Sequence, residues 1–255
     1  MKRVFFLLAT IVLTLGCHGG NNPAPATGAT EQDNLTTDPH RPRHGHHHVS
    51  ISTTVQKAKE ILGQYPTGKY IVAELEGENT LGKPIRVKLV PDTKIRENEG
   101  HLGRFKREDD GQYSILVSDN LDPRTLSHVL AHEVVHIEQD KEEDAYIRSN
   151  PIFGSRMHAV LIAAKAKNLA SADARDVDIF FKSLMFAEVK AYQVNLRLEE
   201  EGLPFPNEQL KQMGLGAYVV KAYLEQNGYI LREDLRSLMH RIDKYQSLVD
   251  FQKSL

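Results

Sequence analysis

The stretch LSHVLAHEVVHIEQD, Leu126–Asp140, decides how this chain is read, because it sets two histidines at i and i+4 around a glutamate inside an apolar helical frame. Asp122-Pro123, just before it, has the signature of a helix start: an aspartate cap followed by proline in the first turn. Val129, Leu130, Val134, Val135 and Ile137 supply apolar contact surface along that helix. Side chains four apart share a helix face, so His132 and His136 lie one above the other and both imidazoles can reach one metal ion. Glu133 is turned by about 100° from His132, which sets its carboxylate beside such an ion rather than on it. The five-residue pattern is short enough to arise by chance on an ordinary surface helix, so its surroundings have to decide.

The elements before this helix and those after it differ in kind. The segment SISTTVQKAKEILGQY carries Val55, Ala58, Ile61 and Leu62 at helical spacing and is closed by Tyr65-Pro66. KYIVAELEG and PIRVKLV read as strands separated by a glycine-bounded turn, and YSILVSDN reads as a third strand after the polar stretch REDDGQ. Beyond Asp122-Pro123 helical periodicity takes over, with helices expected over 123–141, 152–169, 173–201, 207–227 and 231–252. Strands grouped early and helices grouped late predict an α+β domain over 51–255, a small N-terminal sheet followed by a mostly helical part.

The first 50 residues are of a different composition. Lys2 and Arg3 precede an apolar run from Val4 to Leu15, too short for a mature membrane span, which reads as a signal peptide over 1–16. Cys17 is the chain's single cysteine, so no disulfide can form within the chain. The stretch Leu13-Thr14-Leu15-Gly16-Cys17 resembles the lipobox of bacterial lipoproteins, with Thr14 where leucine is usual. That resemblance implies a lipid-anchored protein on a membrane of the bacterial cell envelope, on its periplasmic or extracellular face. Residues 17–50, rich in Gly, Asn, Pro, Ala and Thr, cannot repay the entropy of folding and form a flexible tether. Its end gathers His40, His44, His46, His47 and His48, either a solvated linker or a loose metal-binding tract. The 32 basic and 34 acidic side chains leave a formal net charge of −2, with no broad basic footprint for nucleic acid.

A catalytic zinc ion takes three protein ligands and leaves a fourth position for water. Two sources of the third ligand stand open. Glu188, in the apolar setting Leu184-Met185-Phe186-Ala187-Glu188-Val189, would be costly as an unpaired carboxylate, and zinc is a fitting partner; its alternative is an exposed carboxylate paired with Lys190. Asp173, Asp176 and Asp178 form a second group, although Asp173 suits the cap of the helix that follows. Glu138, Asp140, Glu142 and Glu143 lie too close to His136 on the same helix to turn back onto the metal, and read as a solvated surface.

With His132-Glu133-x-x-His136 and the later FAEVKAYQVN, the chain resembles the zincin metallopeptidases, and among them the gluzincins, over about a third of its length. The resemblance implies zinc ligands at His132, His136 and Glu188, with Glu133 as catalytic base. It also implies a preceding strand that forms the rim of a cleft for an extended peptide or protein substrate. Neither the thermolysin-like Asn-Glu-x-x-Ser-Asp around Glu188 nor the metzincin extension is present, since Gln139 and Glu142 stand where that extension has glycine and histidine. Tyr192, one turn after Glu188, is the candidate oxyanion donor, ahead of Tyr218, Tyr223, His158 and His240. The expected activity is therefore zinc-dependent peptide hydrolysis. The other readings are a non-catalytic zinc- and peptide-binding envelope lipoprotein, and a metal scavenger acting through its histidine tract.

Overall fold

Tyr65-Pro66 closes one helix and opens the next, so the chain turns back on itself at its first corner. The computed structural model describes residues 51–91, 102–205, 225, 229, 231 and 233–255. The signal peptide, Cys17, the histidine-bearing tether and the expected helix 207–227 with Tyr218 and Tyr223 lie outside these, Glu225 apart. Helix α1 (Ile51–Leu62) buries Ala58 and Leu62, as its periodicity requires. Helix α2 (Pro66–Glu76) occupies the segment read as a strand from its β-branched residues. Pro66 in the first turn and Gly77 just past the end are helix punctuation, and Gly68, Ile71, Glu74 and Leu75 are buried at helical spacing. Tertiary packing of that face outweighs the weak β preference of Ile71-Val72.

Gly77 ends α2 in a Schellman motif: its N–H donates to Glu74 O and that of Glu78 to Ala73 O, with φ of 75° at Gly77. A Cβ at Gly77 would stand 2.4 Å from the Lys83 carbonyl carbon. Left-handed strain and this backbone clash add, so Gly77→Ala should destabilise the fold by about 3 kcal/mol, lowering Tm by roughly 6–12 °C in a thermal melt.

Three strands follow: β1 (Arg86–Val90), β2 (Gly103–Arg107) and β3 (Tyr113–Ser118). Their order is β1-β3-β2, with β1 parallel and β2 antiparallel to β3. The central strand is YSILVS, as its apolar core predicts, while GRFKR carries no strand signal of its own, because Phe105 is its only large apolar residue among cations. REDDGQ is the turn between β2 and β3, closed by Glu108 N–H to Gln112 O at 2.8 Å with φ of 79° at Gly111.

Helix α3 (Pro123–Ser149) starts where expected, with the Asp122 carboxylate accepting from the N–H groups of Arg124 and Thr125. It continues past 141 to Asn150-Pro151, because no glycine or proline interrupts it earlier. Leu126, Leu130, Val134 and Ile137 are fully buried, and α3 is covered by α1, α2 and the sheet. Helix α4 (Pro151–Lys165) leads to α5 (Ala174–Glu200), which is capped by Asp173 and packs along α3. The expected helix 231–252 is two, α6 (Leu235–Lys244) and α7 (Leu248–Lys253), each with its own cap at Asp234 and Ser247. The architecture is α+β, mostly helical, with a small three-stranded sheet in the N-terminal part. Among the described residues no helix is long and apolar enough to cross a membrane.

Candidate metal centre

Helices α3 and α5 run antiparallel: Gln139 meets Ala187, His136 meets Glu188, and His132 meets both Glu188 and Tyr192. The i, i+4 histidines of α3 therefore face one carboxylate of α5. His132 Nε2 and His136 Nε2 are 3.0 Å apart, and they lie 3.5 and 3.4 Å from Glu188 Oε2 and Oε1. All three side chains are buried, His132 the least at 8% exposed. His132, His136 and Glu188 form the one histidine–carboxylate group of this kind among the described residues, and it can hold a metal ion.

The electrostatics of the group suit a cation. Burial alone would push the Glu188 carboxyl up, but the facing His136 and His132 imidazoles hold it well below the usual carboxylate range. Burial likewise pulls His136 down, yet the Glu188 carboxylate raises it to about 9. An anion and two imidazole nitrogens thus converge on one point where positive charge is stabilised. A divalent cation would take the place of the shared proton.

His136 is oriented by Gln139, a residue without a ligand signature in the sequence. Gln139 Nε2 donates to Ala187 O at 3.3 Å, which fixes the direction of its amide, so Gln139 Oε1 is the acceptor 3.1 Å from His136 Nδ1. In the neutral imidazole that a metal would bind, the proton then sits on Nδ1, leaving the Nε2 lone pair for the site. The only signal in sequence was the spacing i+3 from a histidine, which glutamine shares with any polar surface residue. Gln139→Leu should weaken metal binding by about 10–100-fold in competition with a chromogenic chelator, and Gln139→Glu, which keeps an acceptor, should lose less.

Glu133 lies near enough to both imidazoles to feel their charge, and its Oε2 accepts the Phe105 N–H of the sheet at 2.9 Å. It is 2% exposed, and burial raises its pKa although His132 and His136 act against the rise. The register explains why a strand N–H is available there. Ser118 N–H to Leu102 O and Glu108 N–H to Gln112 O mark the bonded pairs, so Phe105, opposite Ile115, turns its N–H away from β3. Close approach of β2 to α3 is allowed by Gly103, where a Cβ would stand 2.5 Å from Val129 Cγ1. The strand at the Glu133 side is thus β2, at the end of the sheet, and not YSILVS, which is flanked on both sides. Phe105 also stacks on His136, with centroids 6.3 Å apart.

Tyr192 packs edge-on against His132, with ring centroids 4.8 Å apart. The rival aspartates are engaged elsewhere: Asp173 caps α5, Asp176 pairs with Arg156, and Asp178 pairs with Lys182 at 2.7 Å. His240 is exposed and His158 half-buried, and neither belongs to the group. The acidic run after His136 is not the solvated surface expected. Asp140 and Glu143 are buried, Glu142 holds the start of α7, and Glu138 bonds the Tyr70 hydroxyl. The reason is length: α3 runs on under α7, so residues that would be exposed at a helix end lie mid-helix. Comparisons of the chain with protein-family models, with curated proteins and with solved structures give no match.

Proposed function

We propose that the chain is a zinc-dependent peptidase of zincin type, gluzincin-like in its ligands. The observation that carries this reading is the convergence of His132, His136 and Glu188 with the Glu133 carboxylate beside them. Donor atoms about 2.0–2.1 Å from zinc at tetrahedral angles stand about 3.3 Å from one another, close to the separations of 3.0, 3.4 and 3.5 Å here. Two imidazoles and one carboxylate are also a donor set that catalytic zinc takes.

Zinc bound there would supply a Lewis acid that lowers the pKa of water and polarises a carbonyl oxygen. The chain's own residues do the rest. Glu133, held through Oε2 by the Phe105 N–H, takes the proton of the attacking water on its other oxygen and returns it to the leaving amine nitrogen. Tyr192, against His132, is the donor assigned to the developing oxyanion. An extended peptide or protein segment aligns along β2 by strand addition. Lipidation at Cys17 would hold the domain on an envelope membrane, periplasmic or external.

A second reading, a zinc- and peptide-binding lipoprotein without turnover, is favoured by Glu133 being already bonded and almost wholly buried. Zinc-reloaded full-length chain, offered an unfolded peptide library, should bind one zinc that survives deletion of 40–48 and should cleave peptides in a chelator-sensitive way. One zinc without cleavage favours the second reading. Zinc lost with the deletion favours scavenging by the tract, and no zinc at all rejects all three.

A further inference from the structure

Glu143 lies on α3 about two turns beyond His136 and is 1% exposed. Its Oε1 accepts from Gln252 Nε2 of α7 at 2.6 Å. The two oxygens left over, Glu143 Oε2 and Gln252 Oε1, are both buried and both without a hydrogen-bond partner. If Glu143 were ionised, each would be an acceptor facing no donor, a costly arrangement in an interior. One proton on Glu143 Oε2 repairs both at once. A carboxylic acid and a primary amide present donor and acceptor side by side, so the bond already made through Oε1 and Nε2 sets up its reciprocal, Oε2–H to Gln252 Oε1.

The charges around Glu143 agree. Asp140, Glu142 and Asp144 are carboxylates of the same helix, and each disfavours a further anion. The nearby cations have other partners. From the sheet, Arg107 pairs with Asp144 at 2.8 Å and reaches Asp140 at 3.8 Å. From α7, Lys253 lies over the Tyr146 ring and pairs with Asp250. On α5, Lys182 is held by Asp178 and Glu233, and on α4, Arg156 by Asp176. Burial first, and then these carboxylates, push the Glu143 carboxyl up to about 8.

The geometry points to a proton-dependent lock: Glu143 is neutral in the folded protein and joins Gln252 as an acid–amide pair that holds α7 across α3 and α5. The rest of the dock is built around this pair. Glu142 accepts from Ser247 Oγ and Leu248 N–H at the start of α7, and Phe251 stacks on Phe186 of α5 with centroids 4.9 Å apart. Loss of the proton leaves a buried anion and two orphan acceptors at the interface of the terminal helix, which releases it. Because the folded-state pKa is raised, this stabilisation is complete below the ordinary glutamate range and is lost as pH climbs through about 8. The lock does not rest on the peptidase reading.

Full-length chain with ¹³C-carboxyl glutamate provides the test. The resonance that disappears in Glu143→Gln, and that shifts in Gln252→Met, should titrate with a midpoint near 8. Amide protection of Leu248–Lys253 should fall about tenfold more between pH 7 and pH 9 in the parent than in Glu143→Gln, whose amide stays neutral. A midpoint in the ordinary range near pH 4–5 overturns the proposal, as does an equal loss of protection in both proteins. If Glu143→Gln fails to fold, the Gln252→Met shift still assigns the resonance and its midpoint decides.

Discussion

Glu133→Gln is expected to lower peptide hydrolysis by about 10²–10⁴-fold while leaving zinc binding within a few-fold of the parent. The substitution keeps the shape of the side chain and an oxygen that can accept the Phe105 N–H, so the contact that fixes the carboxylate is retained. What is lost is the capacity to take and return a proton. At about 1.4 kcal/mol per decade, the expected loss is roughly 3–5.5 kcal/mol of transition-state stabilisation. The fold should not suffer, since a neutral amide is easier to bury than a carboxylate that is 2% exposed. The check is kcat/KM on the best peptide found, beside zinc content. Unchanged hydrolysis would remove Glu133 from the mechanism, and loss of zinc would make it a ligand instead of a base.

Glu188→Ala should weaken zinc binding by on the order of a hundredfold to a thousandfold. Structural zinc sites hold about 10–16 kcal/mol over four ligands, so one ligand is worth roughly 3 kcal/mol or more. Among the described residues, Glu188 is also the carboxylate that faces both imidazoles at 3.4–3.5 Å. Its removal leaves His132 and His136 as a pair of nitrogens 3.0 Å apart without the carboxylate that closes the group. Binding is best read by chelator competition, and by the gain in Tm at saturating zinc, which follows the affinity. The histidines at 40–48 would bind zinc in both proteins, so the comparison is made with them replaced. A folded variant that keeps full affinity would take Glu188 out of the ligand set, with Asp176 and Asp178 then needing to leave Arg156 and Lys182.

The features legible in the sequence are the ones governed by neighbouring residues. Asp122-Pro123 and Asp173 start helices α3 and α5 because a cap needs only the backbone N–H groups just ahead of it. His132 and His136 share a face because helix geometry makes them do so. Local signals mislead where they are weak. Ile71-Val72 pointed to a strand, yet the buried face of α2 and its proline and glycine ends made a helix. GRFKR became a strand through the partner it finds in β3, with just one large apolar residue to announce it.

Periodicity and capping are local interactions, and they were enough for the α+β order, the helix that carries the two histidines, and a short list of carboxylates that could join them. Tertiary structure decided what depends on one helix meeting another. It chose Glu188 over the aspartates, since only the antiparallel packing of α3 and α5 sets that carboxylate against both imidazoles. It brought Gln139 to His136 with Ala187 O behind it, and the Phe105 N–H to Glu133. It also buried Glu143 beneath a terminal helix far away in the chain. Contacts between distant segments are set by how whole faces pack, and no stretch of sequence taken alone contains both faces.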